Sequence, residues 1–343
     1  MARVLVTGGS GFIAAYVILA LLREGHEVRA TLRDMAREGQ ARAQLAAGGA
    51  RPEAALSFHR ADLLDDEGWA AALAGCDYAL HVASPVPAGL VADDEAALIA
   101  VAREGTVRVL KAARAAGVRR VVVTSSFAAV GYGHAPRTGP YNERDWTAPD
   151  GAGVDAYTRS KTLAERAAWD FIGGEGAGME LATVNPVVVL GPALGPDMSA
   201  SLDLIRALLD GAMPATPRLY LGLVDVRDVA DLHLKAMTAP EAAGERFLAT
   251  AGAALSLHEM AKVLRAGLGP AARRVPRLQL PDVMVRLAAL ALPMARLAVP
   301  RLGIRRNASN EKARDVLGWS PRPAEEAILA TAESLIRLGL VKP

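Results

Sequence analysis

Tyr157 and Lys161 stand four residues apart in Tyr157-Thr158-Arg159-Ser160-Lys161, so a helix sets both side chains on one face. A phenol titrates near 10, too high to act as a base at neutral pH. An ammonium beside it favours the phenolate and brings the group toward a useful acid–base range. The same lysine is placed to hold a nicotinamide ribose. That spacing alone is common on helices, and a third group gives it meaning. The run Val121-Val122-Val123-Thr124-Ser125-Ser126 reads as a buried strand ending in hydroxyls. Strand ends of this kind are where open α/β sheets hold ligands, although hydroxyls there also serve ordinary turns. Ser126 would donate to a carbonyl oxygen alongside Tyr157 and polarise it as hydride arrives. The expected catalytic set is Ser126, Tyr157 and Lys161, acting on a small aldehyde or ketone, or on the matching alcohol.

Such chemistry needs a hydride carrier, and the first residues offer a cradle for one. Gly8-Gly9-Ser10-Gly11-Phe12-Ile13-Ala14 follows an apolar strand and opens an amphipathic helix. Gly8 permits a tight turn, Gly11 lets backbone approach a pyrophosphate, and the helix start supplies oriented N–H groups. Ser10, Phe12 and Ile13 belong to the same expected cofactor-binding set. A glycine motif alone is weak; its place between strand and helix is what gives it weight. Further on, Thr31-Leu32-Arg33-Asp34 occupies the place where NAD-binding chains put an acid on the ribose. Arg33 suits a 2′-phosphate, with Arg37 as a second charge, so NADP(H) is the expected cofactor. Asp34 keeps NAD(H) open as the alternative.

These groups need a scaffold, and the pattern of the chain describes one. Strands are expected at Arg3–Thr7, Glu27–Leu32, Leu56–Arg60, Tyr78–Val82, Val118–Thr124 and Glu180–Val184. Helices are expected at Phe12–Arg23, Glu67–Ala74, Asp93–Ala116 and Ala156–Ile172, with Gly25 and Gly117 closing two of them. Strand and helix alternate, which builds a parallel sheet from βαβ units. After Asn185 the pattern is less regular, with turns at Asn185-Pro186 and Gly191-Pro192, a strand near Leu223–Val226 and a helix from Asp228 to Met237. The polar stretch Gly133–Gly153, containing Pro136, Pro140 and Pro149, is long enough to be a functional loop.

Composition narrows the class. The chain has 343 residues, 52% hydrophobic and 22% charged, with a formal charge of +2, enough for one large domain or two modest ones. That near-neutral balance gives no global reason to expect a nucleic-acid partner. The single cysteine, Cys76, lies in an apolar setting and is expected to be a buried, inert thiol. No charged leader precedes the first strand, so a cytoplasmic protein is expected. Leu280–Leu302 is apolar, but Asp282, Arg286, Arg296, Pro293 and Pro300 interrupt it, so it reads as short packed helices or an interface patch rather than a membrane span. His59, His81, His134, His233 and His258 are scattered without zinc spacing, and no metal is expected. His81 reads as a packed, hydrogen-bonded residue, and Glu165 and Arg166 as solvated helix-face charges.

Taken in order along the chain, these motifs resemble the extended short-chain dehydrogenases/reductases. They are most similar to the branch of dihydroflavonol 4-reductases, cinnamoyl-CoA reductases and microbial aldehyde and ketone reductases. The matching pieces are Val6-Thr7-Gly8-Gly9-Ser10-Gly11-Phe12-Ile13, Val28 to Asp34, Ala61-Asp62-Leu63 and His81-Val82-Ala83-Ser84-Pro85. They continue through Thr124-Ser125-Ser126, Tyr157 to Glu165, Asn185-Pro186, Ser309 to Ala313 and Leu317-Gly318-Trp319. The resemblance implies a Rossmann-type doubly wound α/β sheet with a smaller, mainly helical C-terminal substrate lobe. It places the NADP-binding domain at 1–184, with 222–245 returning to it, and the lobe at 185–221 and 246–343. It implies that Asp62 and Leu63 flank the adenine, and that Val82, Ala83 and Ser84 line the cofactor path. Pro186 and Val188 would contact the nicotinamide end.

One departure concerns Gly131, which stands where plant dihydroflavonol reductases carry an asparagine for their polyphenol substrate. A flavonoid diol is therefore not the expected substrate. Two other readings compete: an NAD-dependent sugar-nucleotide epimerase or dehydratase, and a non-catalytic dinucleotide-binding protein. The latter has no chemical use for Tyr157 and Lys161. The expected partner is a small carbonyl or alcohol, with no nucleic acid and no membrane, in a monomer or homodimer.

Overall fold

The computed structural model describes residues 1–51, 54–85, 94–135, 137–197 and 199–342. Two residues named above, Asp93 at the expected helix start and Pro136 in the loop, lie outside them. Seven parallel strands form the central sheet. Six are β1 (Arg3–Val6), β2 (Glu27–Leu32), β3 (Leu56–Arg60), β4 (Tyr78–His81), β5 (Arg120–Thr124) and β6 (Glu180–Pro186). The seventh is Glu245–Ala249, and the order across the sheet is seventh strand, β6, β5, β4, β1, β2, β3. This seventh strand pairs in parallel with β6. Its core residues, Phe247, Leu248 and Ala249, are buried at the sheet edge.

The helices are α1 (Phe12–Arg23), α2 (Glu38–Ala47), α3 (Trp69–Leu73), α4 (Glu95–Ala115), α5 (Ala156–Gly173), α6 (Ala200–Leu209) and α7 (Val226–Thr238), followed by shorter ones and Ala324–Arg337. Side-chain alternation along each strand feeds two cores. Val4 and Val6 join Ile18, Leu80, Val122 and Val229 under α1 and α7. Leu5 points the other way, to Trp69, Ala79, Leu110, Val121 and Leu181 under α3, α4 and α5. Helices α4 and α5 pack against each other within the chain. A third core gathers Leu190, Leu202, Ile205, Leu208, Met260, Leu264, Ile328 and Leu335 from the later segments.

Strand order reverses between β1 and β4, and the crevice beyond their C-terminal ends is the switch point where open α/β sheets bind ligands. The glycine turn leaves β1 there and Val82–Ser84 leaves β4. Leu280–Leu302 forms two short helices, Asp282–Ala288 and Pro293–Ala298. Among the described residues no helix is long and apolar enough to cross a membrane.

Candidate active site

The glycine turn is built by its neighbours. Gly8 takes φ +72°, a conformation that suits glycine, and a side chain there would press on Ala83 at 3.1 Å. Its N–H donates to Thr31 Oγ1, and the Gly9 N–H donates to the Thr31 carbonyl, at 3.1 and 2.8 Å. A Cβ on Gly9 would sit 2.9 Å from that of Ala30, so backbone and β2 meet closely. No side chain caps the start of α1 at Gly11, which leaves first-turn N–H groups directed at the crevice where a pyrophosphate fits.

Thr7 fastens the other wall. Its hydroxyl oxygen accepts N–H bonds from Val82 and Ala83 at 3.0 and 2.9 Å, which leaves its own hydrogen for His81 Nδ1, 2.9 Å away. Burial pushes His81 down to about 3, so its ring is neutral and accepts at Nδ1. His81 is the packed, hydrogen-bonded residue expected. Ser84 lies beside this wall, with its hydroxyl 3.5 Å from the Pro85 carbonyl.

The residues expected around the adenosine end are spread along the tips of β2 and β3. Arg33 is exposed and forms no ion pair among the described residues. Asp34 caps the turn that follows, accepting from the Ala36 N–H at 2.9 Å. Its carboxylate is thereby engaged locally. Arg37 pairs with Asp197 in an exposed contact. Asp62 accepts from the Leu64 N–H at 3.1 Å, and the Leu63 carbonyl accepts from Arg108 while its side chain packs on Gly105. At the far end, Pro186 closes β6 and Val188 donates its N–H to the Gly222 carbonyl at 3.0 Å.

The catalytic candidates come from three elements. Ser126 follows β5, and its Oγ accepts from the Ala128 N–H at 3.1 Å, which fixes the oxygen and leaves the hydroxyl hydrogen free. Asp155 caps α5 by accepting from the Thr158 N–H at 2.8 Å, which places Tyr157 in the first turn. Lys161 is buried one turn on, its ammonium 3.4 Å from the Thr124 carbonyl. Burial pushes the Tyr157 phenol above its ordinary range, and the nearby Ser126 hydroxyl pulls it back. Lys161 itself is pushed down to about 8 by burial, against the opposing charge of Glu165.

Glu165 corrects the sequence expectation most sharply. It is 1% exposed rather than solvated, because Tyr157, Lys161 and Glu165 recur every four residues on the sheet-facing side of α5. Its carboxylate pairs with Arg246 Nε at 2.6 Å and accepts from Asn185 Nδ2 at 2.6 Å and from the Ser125 hydroxyl. Asn185 Nδ2 also reaches the Ser126 carbonyl, at 3.3 Å. Arg246 donates to the carbonyls of Glu143 and Asp145, anchoring the loop that precedes α5. One buried pair thus ties α5, the ends of β5 and β6, the seventh strand and the loop together. The spacing Lys161/Glu165 could have signalled it. By contrast Arg166 is exposed, as expected. Cys76 is buried and its thiol is pushed up to about 11, which suits an inert side chain. Among the described residues no cluster suited to a metal ion occurs.

Comparison with known proteins adds a lineage to this geometry. The model of the NAD dependent epimerase/dehydratase family matches residues 4–249. The cinnamoyl-CoA reductase CAD2 of Medicago truncatula is 34% identical over 340 residues, covering 97% of this chain and 95% of that protein. A dihydroflavonol 4-reductase of Zea mays is 34% identical over 269 residues, covering 76% and 73%. The crystal structure of yeast methylglyoxal/isovaleraldehyde reductase Gre2 complexed with NADPH superposes with a TM-score of 0.80 at 25% identity, over 98% of this chain and 99% of that one.

Proposed function

The chain belongs to the NAD dependent epimerase/dehydratase family, and from that premise we propose that it is an NADP(H)-dependent reductase of small aldehydes or ketones. The observation that carries this reading is the placement of Tyr157 beside Ser126, one turn before buried Lys161, at the ligand-binding edge of the sheet. The two relatives named above are reductases, and the similar yeast structure is a complex with NADPH, which favours reduction over the sugar-nucleotide alternative.

The bound nicotinamide supplies the hydride. Ser126 and Tyr157 orient the carbonyl oxygen by hydrogen bonds, and the charge that grows there as hydride reaches carbon is met by both donors. Tyr157 then gives its proton to that oxygen. A phenol is protonated at neutral pH, so Tyr157 has a proton to give. Lys161 holds the nicotinamide ribose in this scheme, and its charge stabilises the phenolate once the proton has left. The uncapped start of α1, with Gly8, Ser10, Gly11, Phe12 and Ile13, suits the pyrophosphate. Arg33, without an ion-pair partner among the described residues, suits a 2′-phosphate with Arg37 nearby, while Asp62, Leu63, Val82, Ala83, Ser84, Pro186 and Val188 would flank the rest. We assign the substrate lobe to the segments around the third core, 185–221 and the chain beyond the seventh strand.

An NADPH-oxidation screen over aldehydes, α-ketoesters, aryl ketones and methylglyoxal tests the reading. Turnover that depends on NADPH supports it. Purified protein that retains NAD tightly and converts a UDP-sugar would overturn it.

A further inference from the structure

Arg306 has no place in the chemistry above, yet it is held firmly beside it. The Tyr141 N–H donates to the Asn307 carbonyl at 2.8 Å, and the Ala254 N–H donates to Asn307 Oδ1 at 3.0 Å. The Ser309 N–H closes the clamp on the Tyr141 carbonyl at 2.8 Å. With its backbone fixed by these bonds, half-buried Arg306 lays its guanidinium 4.8 Å from the centre of the Tyr132 ring. Its neighbours are engaged: Arg301 pairs with Asp155 and Arg305 approaches Glu259. Among the described residues Arg306 forms neither an ion pair nor a side-chain hydrogen bond. Stacking occupies the flat face of a guanidinium and leaves its in-plane N–H fork free, the geometry that grips a carboxylate with two bonds.

Tyr132 carries this fork to the site. Its N–H donates to Thr147 Oγ1 at 3.0 Å, and its ring meets that of Phe127, the residue after Ser126, edge-on at 5.9 Å. The next residue, Gly133, backs onto Val154, three positions before Tyr157. Tyr132 therefore stands between Ser126 and the head of α5. The Tyr132 ring thus stands between the Arg306 guanidinium, 4.8 Å from its centre, and the ring of Phe127, 5.9 Å away, so about one aromatic ring separates the fork from the neighbour of Ser126.

Building on the reductase reading, we propose that Arg306 binds a carboxylate on the substrate, so that the substrate class is oxo-carboxylates whose two groups are separated by a short chain or ring. A 2-oxo acid is too short for both ends to be met. The reaction is otherwise unchanged: hydride forms the new C–H bond, the carbonyl π pair moves to oxygen, and oxygen takes the Tyr157 proton.

The test compares kcat/KM for 4-formylbenzoate and its methyl ester with NADPH at low salt. The acid is expected to lead by about ten-fold or more, and the lead to shrink as salt rises. In R306Q the acid-to-ester ratio is expected near one, with R306K keeping part of it. An ester that matches or beats the acid on the unaltered enzyme overturns the proposal and leaves the reductase reading standing, as does a ratio unmoved in R306Q. No turnover of either compound or of neutral aldehydes, with NADPH bound, overturns both.

Discussion

Replacing Lys161 by methionine is expected to stabilise the protein while it abolishes turnover. The ammonium is 8% exposed, and burial holds it at about 8 rather than its ordinary 10.5. That difference means about 3 kcal/mol is spent at neutral pH on keeping the charge inside. Methionine keeps the length and the apolar stem but loses the donor at Thr124, whose carbonyl is 3.4 Å away, at a cost of about 1 kcal/mol. The net gain is about 2 kcal/mol, or about 3 °C for a chain of 343 residues. The pH dependence makes the reasoning specific. Below about 8 the lysine is protonated both folded and unfolded, and the full penalty applies. Between about 8 and 10.5 the unfolded chain holds the proton more tightly, so the unaltered protein gains stability as pH rises and the advantage of K161M closes. Urea unfolding of both proteins at pH 7 and pH 10 measures this. A K161M protein less stable at pH 7, or a gap that does not narrow with pH, refutes the reasoning.

Tyr157→Phe removes the proton donor, and kcat is expected to fall about 10²- to 10⁴-fold while NADPH quenching of protein fluorescence still reports binding. Arg33→Gln is expected to raise KM for NADPH by about ten-fold and that for NADH far less, read from parallel initial rates. Glu165→Gln leaves buried Arg246 without its counter-charge, and a loss of about 3–5 kcal/mol in urea unfolding is expected. The same change withdraws the charge that raises Lys161, so the alkaline limb of kcat/KM should move to lower pH. A limb that stays in place would confine Glu165 to a structural role.

The elements of the dinucleotide half were legible because their signals are local. Alternating apolar runs, a glycine turn between strand and helix, and glycines after helices gave β1 to β6, α1, α4 and α5 with ends off by at most a few residues. Helix α2 was not foreseen, since its apolar face is little more than Ala41 and Leu45. The seventh strand was not foreseen either, because its five residues carry charge at Glu245 and Arg246 and pair only with distant β6.

The amino-acid sequence by itself determined the family, the sheet, and Ser126, Tyr157 and Lys161 as candidates, because residue type and short spacing encode those. Tertiary structure alone decided what surrounds them. Glu165 meets Arg246 from 81 positions away, Thr7 meets His81 from 74, and Arg306 reaches Tyr132 only when the C-terminal segment folds back. Burial, too, belongs to the fold. It pushes Tyr157 up and Lys161 down, because desolvation disfavours the charged form of each.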